Sequence, residues 1–160
     1  MYLGGATTAA SVQVPVYNTG STTINRGCVC SFYPDADGDY SSYTIVYPAG
    51  ANTDPVYRVP VRNWVTSTQD LPYGVAVGTI PAGKSGMVIV SGMALVKTDG
   101  NVDQNEELEL STGGILVPYS SGTKYGRAIL TDGVSVREVD FGTNTATFAL
   151  ALVQFNIYPA

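Results

Sequence analysis

The chain has 160 residues, 44% of them hydrophobic and only 13% charged, with a formal net charge of −5. A chain of this length buries about 70% of its unfolded surface, so one domain needs no disulfide staple. Eight basic residues scattered along an acidic chain are too few to follow a phosphate backbone, so no nucleic acid is expected as a partner. The absence of histidine removes Ser-His-Asp and Cys-His catalysis. Typical soluble domains carry about 25% charged residues; here Ser, Thr, Asn, Gly and Tyr take their place. Such a surface repels itself weakly and suits a protein partly covered by other chains.

Residues 1–10, "MYLGGATTAA", are small, uncharged and aperiodic. They are expected to form a flexible N-terminal arm that orders only against a neighbour, ahead of an all-β domain over 11–160. The start has neither the basic residues nor the apolar core of a signal peptide. No run reaches the roughly 18 apolar residues of a membrane helix, so folding in a cytosol, away from membranes, is expected.

The strand at 11–17 places Val12, Val14 and Val16 on one face and Pro15 on the other, which argues for a sheet edge. A strand over 26–33 follows. Cys28 and Cys30 share its face, a poor geometry for bridging each other, and read as two buried small side chains. With no histidine they are too few for zinc. In the next turn, Asp35, Asp37 and Asp39 alternate like the first ligands of a calcium loop. However, Tyr40 stands where the turn glycine belongs and Val46 where the bidentate glutamate belongs. A polar turn is the expectation, with these three aspartates as the one metal candidate.

Strands at 43–47 and 55–65 come next, the latter with Tyr57, Val59 and Val61 opposite Arg58 and Arg62. The strand at 73–78 sets Tyr73, Val75 and Val77 opposite Gly74, Ala76 and Gly78. It runs into "GTIPAGKSG", where Gly78, Gly83, Lys84 and Ser85 match the phosphate-loop pattern G-x-x-x-x-G-K-S/T. A phosphate loop feeds a helix whose N-terminus supplies amide donors. Here Gly86 and the β-branched "MVIV" follow, which favour a strand. The segment therefore reads as a hairpin turn, and no cofactor is expected.

The strand at 86–96 is apolar on both faces, as a doubly covered strand is. Asp99, Asp103, Glu106, Glu107 and Glu109 follow without a basic residue among them. Paired carboxylates can hydrolyse glycosides, but a solvated loop or interaction surface is the expectation, with room for one helical turn in 101–110. Further strands are expected at 107–110, 114–119, 124–130, 134–139 and 145–158. In the last, Phe148, Leu150 and Leu152 share one parity and Val153, Phe155 and Ile157 the other. Either both faces are covered or a bulge near 152–153 shifts the apolar face. Eighteen glycines and nine prolines punctuate many short strands, the signature of an all-β barrel or sandwich. The eleven tyrosines are spread over several strands and need no ligand there.

Between 73 and 130 the parts Gly74-Val75-Ala76, Ala82-Gly83-Lys84-Ser85-Gly86, Ser91-Gly92, Glu106–Leu110, Thr112-Gly113-Gly114 and Gly126-Arg127-Ala128 occur in order. This pattern resembles the small β-rich decoration, or cement, proteins of tailed-bacteriophage capsids; residues 1–60 and those after 140 lie outside it. The resemblance implies a β-barrel or β-tulip-like module without catalysis or cofactor, sitting on the outer capsid surface of a virion assembled in the host cytoplasm. It implies a homotrimer that bridges subunits of the major capsid protein, with Met1, Tyr2 and Leu3 of the arm as expected capsid contacts. The alternative is a head-fibre or tail-associated module that binds carbohydrate or the host surface through its tyrosines.

Overall fold

The structure, a computed structural model, describes residues 11–33, 58–65, 71–131 and 147–155. The arm over 1–10 and the strands expected at 43–47 and 134–139 lie outside these residues. Among the described residues there are nine strands, one short 3-10 turn at Thr112–Gly114 and no α-helix. The strands are β1 (Val12–Asn18), β2 (Val29–Phe32), β3 (Val59–Asn63), β4 (Leu71–Ala76), β5 (Ser85–Lys97), β6 (Glu107–Leu110), β7 (Leu116–Pro118), β8 (Lys124–Leu130) and β9 (Phe148–Gln154).

Their order is β1-β3-β2-β4-β5-β9-β8-β6-β7, and β1 pairs β5 as well. The first five strands therefore close into a barrel, in which β1 and β3 run parallel. The other four extend from the second half of β5, and a bridge from Thr98 to Leu116 ties β7 back beside the end of β5. The molecule is thus an all-β barrel with a second sheet folded against its wall.

β5 supplies both layers. Its first half pairs β1 and β4, and its second half, from Ser91 to Lys97, pairs β9. Consecutive side chains enter different cores. Val88 joins Val16, Ile24, Val61, Tyr73 and Ile80 inside the barrel. Ile89 joins Val29 and Val75 on the barrel's outer wall, where they meet Val96, Leu108, Leu116 and Val153 of the second sheet. A run of β-branched residues without polar alternation is what a strand covered on both faces requires.

Three expectations about strand faces change. β1 is not an edge strand, because β3 and β5 flank it. Pairing with β3 begins only at Val16, so among the described residues Pro15 has a neighbour on one side, where a missing N–H is tolerated. In β4, Cys30 pairs Gly74 and Ser31 pairs Pro72, leaving Tyr73 as a bulged residue. Tyr73 and Ala76 thereby line the barrel core and Val75 the other core, while Val77 is exposed. In β9, pairing with β5 is unbroken from Phe148 to Gln154; the irregularity falls in β8, between Ala128 and Leu130. The core parity of β9 is Ala149, Ala151, Val153 and Phe155, and Leu152 points outward, 48% exposed. The small alanines leave the space that Leu108 and Leu116 fill in the same core.

Cys28 and Cys30 are both buried free thiols. Burial pushes the Cys30 thiol up to about 12 and raises Cys28 as well. Because the thiolate is the nucleophile, neither should react with a chromogenic disulfide reagent at pH 8 in the native protein. Both should react once guanidinium unfolds it; a fast native reaction would contradict this packing.

Candidate functional site

Residues 77–84 turn the chain from β4 into the antiparallel β5. Ser85 thus opens a strand where a phosphate loop would open a helix. The loop's amides are also engaged. The N–H of Gly83 donates to the carbonyl of Asn18 at 2.9 Å, and that of Lys84 to the carbonyl of Pro81 at 3.1 Å. The Lys84 carbonyl accepts from the Asn18 N–H at 2.9 Å, and the Lys84 side chain lies at the surface.

Asn18 holds this region together. Its side chain is fully buried; Nδ2 donates to the carbonyls of Thr22 at 2.8 Å and Ile80 at 3.0 Å. Its Oδ1 accepts from the Gly20 N–H at 3.0 Å. An amide offers donors and acceptor together, so one side chain closes the 18–22 turn and pins the 77–84 loop to it. Sequence pattern did not single out Asn18; the available signal was a polar residue ending an apolar strand in "YNTGST", a turn composition.

The glycines of the loop also change roles. A side chain at Gly78 would meet nothing within 4 Å, whereas a Cβ at Gly86 would stand 2.5 Å from Cγ1 of the core residue Ile80. Gly78 is therefore dispensable, Gly83 is needed for its left-handed backbone, φ +73, and Gly86, outside the phosphate-loop pattern, is needed for space. Other glycines of the decoration-protein pattern serve the same purpose: a Cβ would meet the Leu152 carbonyl at Gly126 and the Val29 carbonyl at Gly114.

The acidic stretch is spent on local structure. Asp99 accepts from the Asn101 backbone N–H at 3.0 Å and from its side-chain amide at 3.3 Å, and Glu106 accepts from the Asp103 N–H at 2.9 Å. Glu107 pairs with Lys124 at 2.7 Å and Arg127 at 3.0 Å, and the Lys124 hydrogen bond holds its carboxyl below the usual range. Glu109 accepts from the backbone N–H groups of Ser120 and Ser121 and from the Ser120 hydroxyl, which likewise lower it. Among the described residues no group of three or more His, Cys, Asp or Glu is placed to hold a metal. Asp35, Asp37, Asp39, Met1, Tyr2 and Leu3 lie outside the described residues.

One face of the second sheet is largely apolar. On the outer face of the second sheet, Leu95, Leu150 and Leu130 stand in one row and Met93 and Leu152 in the next, with Arg127 beside Leu152. Leu130 is 44% exposed. Leu130 and Leu152 are exposed and Met93, Leu95 and Leu150 half-buried, and apolar side chains gathered in adjacent rows mark an interaction surface more often than a lone exposed leucine does. Ser11, where the described chain begins, donates its hydroxyl to the Met93 carbonyl at 3.1 Å beside this face.

The fold places the chain among small all-β barrel modules whose glycines serve close packing. No protein-family profile matches the sequence, and no curated protein matches it either. A solved structure does: the head fiber gp8.5 N base in bacteriophage phi29. The two share 10% identity with a TM-score of 0.53, over 92% of this chain and 100% of that one. At that identity the likeness is one of fold.

Two outcomes follow from the geometry. Gly86→Ala should cost about 1–3 kcal/mol because Ile80 must be displaced from a packed core, while Gly78→Ala should stay within about 1 kcal/mol of the parent. Urea unfolding of the two variants separates them, and equal costs would refute the assignment. Glu107 and Glu109 have lowered folded-state values, so their contribution is present above the ordinary carboxylate pKa and is lost as pH falls through the lowered ones. Thermal stability should therefore fall below about pH 4.5, and Glu109→Gln should flatten part of that slope; an unchanged slope would contradict it.

Proposed function

We propose that the chain is a structural protein of a phage head, bound to the outer capsid surface and working through contact area rather than catalysis. The observation that carries this reading is the full-length likeness in fold to a head-fibre base module. The low charge and the apolar outer face around Leu130 and Leu152 support it, since interface cores are depleted in charge. In its finer form the protein is a decoration, or cement, protein: a homotrimer bridging major capsid subunits, with Met1, Tyr2 and Leu3 reaching the capsid. It needs no nucleotide, metal or other cofactor, and Lys84 is a solvated turn residue. The second reading, favoured by the description of the solved neighbour, is the capsid-bound base of a head fibre.

Purified virions test the common core of both readings: the chain should be present at a stoichiometry tied to that of the capsid protein, and its absence would overturn them together. Particles lacking it separate the two. A cement role predicts heads that burst at lower temperature, and a fibre-base role predicts heads of unchanged stability without fibres. Removal of residues 1–10 should weaken attachment to such heads while leaving the unfolding transition in place; undiminished attachment would remove the arm from the proposal. Light scattering at micromolar concentration should return a trimer, and a monomer would count against the homotrimer.

A further inference from the structure

A pocket at the seam between barrel and second sheet is accounted for neither by folding nor by capsid contact. The chain's single tryptophan, Trp64, follows β3 at the barrel's end and belongs to neither core cluster. With Glu109 and Leu110 of β6, Tyr125 of β8 and the turn at Ser121–Thr123, it lines a shallow cavity of about 200 Å³. We propose that this cavity binds one pyranose ring of a carbohydrate, with Trp64 and Tyr125 as apolar walls and Glu109 as hydroxyl acceptor.

The walls are set before any ligand arrives. Leu108 pairs Gly126 and Glu109 pairs Lys124, so Tyr125 is the extra residue of a bulge, a device that re-aims a side chain. Its ring stacks on the core residue Phe155, centroids 5.3 Å apart and planes at 21°. Glu109 is held by its turn: Oε2 accepts from the N–H groups of Ser120 at 3.0 Å and Ser121 at 2.9 Å, and Oε1 from the Ser120 hydroxyl at 2.9 Å. A carboxylate oxygen has two lone pairs, so Oε1 keeps acceptor capacity. Preorganised groups of this kind lose little freedom on binding.

The composition selects the ligand class. A sugar has an apolar C–H face that suits an aromatic wall, and hydroxyls that both donate and accept. Glu109 takes the donors and the Ser121 hydroxyl can meet either role, while the Thr123 side chain is hydrogen-bonded to Tyr125 and helps fix that wall. A free phosphate or sulfate is disfavoured by the fixed negative charge of Glu109. A purely cationic ligand would leave the hydroxyl donor of Ser121 without an acceptor. This inference does not rest on capsid attachment.

Because Trp64 is the only tryptophan, its fluorescence reports on the pocket alone. The intact protein is titrated with the methyl glycosides of glucose, galactose, mannose and N-acetylglucosamine, and with choline chloride. At least one sugar should shift the emission saturably with a dissociation constant of about 1 mM, and choline should not. Glu109→Gln should weaken that sugar about tenfold, and Trp64→Ala should abolish its saturation-transfer NMR signal. The second variant carries the test if the first fails to fold, since Trp64 lies outside both cores. Silence toward all four sugars in both assays, a response to choline alone, or binding that survives both substitutions would overturn the proposal. Capsid binding by Trp64→Ala should be unchanged, so the two functional readings fail independently.

Discussion

The whole architecture depends on β5 having two faces that cannot be exchanged. Val88 faces the barrel and Ile89 the second core, so a one-residue slip would send these two side chains to each other's interior and turn Ala94 and Val96 out of the second core. The other strands are placed by that constraint. β1 and β4 close the barrel along its first half, and β9 opens the second sheet along the rest. The change of partner occurs at Ser91, which pairs both Val12 and Gln154. Gly92 follows with φ +108, a conformation glycine adopts without strain. The Ser-Gly dipeptide of the decoration-protein pattern thus marks where one layer becomes two.

A second constraint holds the barrel's open end. The Asn18 side chain bonds the turn after β1 at Gly20 and Thr22 and adds a second bond to the Ile80 carbonyl, which also accepts from the Ile24 N–H at 2.9 Å. A loop whose letters promised a phosphate cradle is therefore a clamp, with its amides turned to the protein's own carbonyls. Gly83 contributes its left-handed turn, φ +73, rather than access for a ligand.

Period-two patterning made the all-β class legible, and the apolar run of 86–96 pointed to a doubly covered strand, which holds at Val88 and Ile89 but not at Met93 and Leu95, whose face is open. The buried cysteines were legible for the same reason, because small apolar side chains inside a strand have few other places to go. What local pattern cannot carry is pairing between distant strands. The parallel contact of β1 with β3 and the closure of β1 on β5 join residues dozens of positions apart, and they remove the edge that Pro15 suggested. Bulges defeat parity for a related reason. At Tyr73 and Tyr125 one extra residue re-aims a ring, and the sequence on either side still alternates as though nothing had happened. In β9 the larger leucines drew attention away from Ala149 and Ala151, although the core there has room only for small side chains beside Leu108 and Leu116. As for sites, Lys84 and Ser85 fall at a turn that opens a strand, and the pocket rests on a tryptophan that no motif singled out.

The two candidate surfaces share no residue. The apolar face is built from Met93, Leu95, Leu130, Leu150 and Leu152 on β5, β9 and β8, and the pocket from Trp64, β6, the 121–123 turn and the re-aimed Tyr125. Their energetics differ in the same way. Burying exposed leucines against another chain gains about 25 cal/mol per Å² without demanding any particular hydrogen bond, which suits a permanent assembly contact. The pocket offers little area but fixed polar geometry, which suits weak, repeated recognition of a small group. Many copies on one particle would turn such weak binding into avidity without any new contact. A barrel with a second sheet on its wall can serve both ends, because the bulge that spoils regular pairing at Tyr125 also gives the pocket its second aromatic wall.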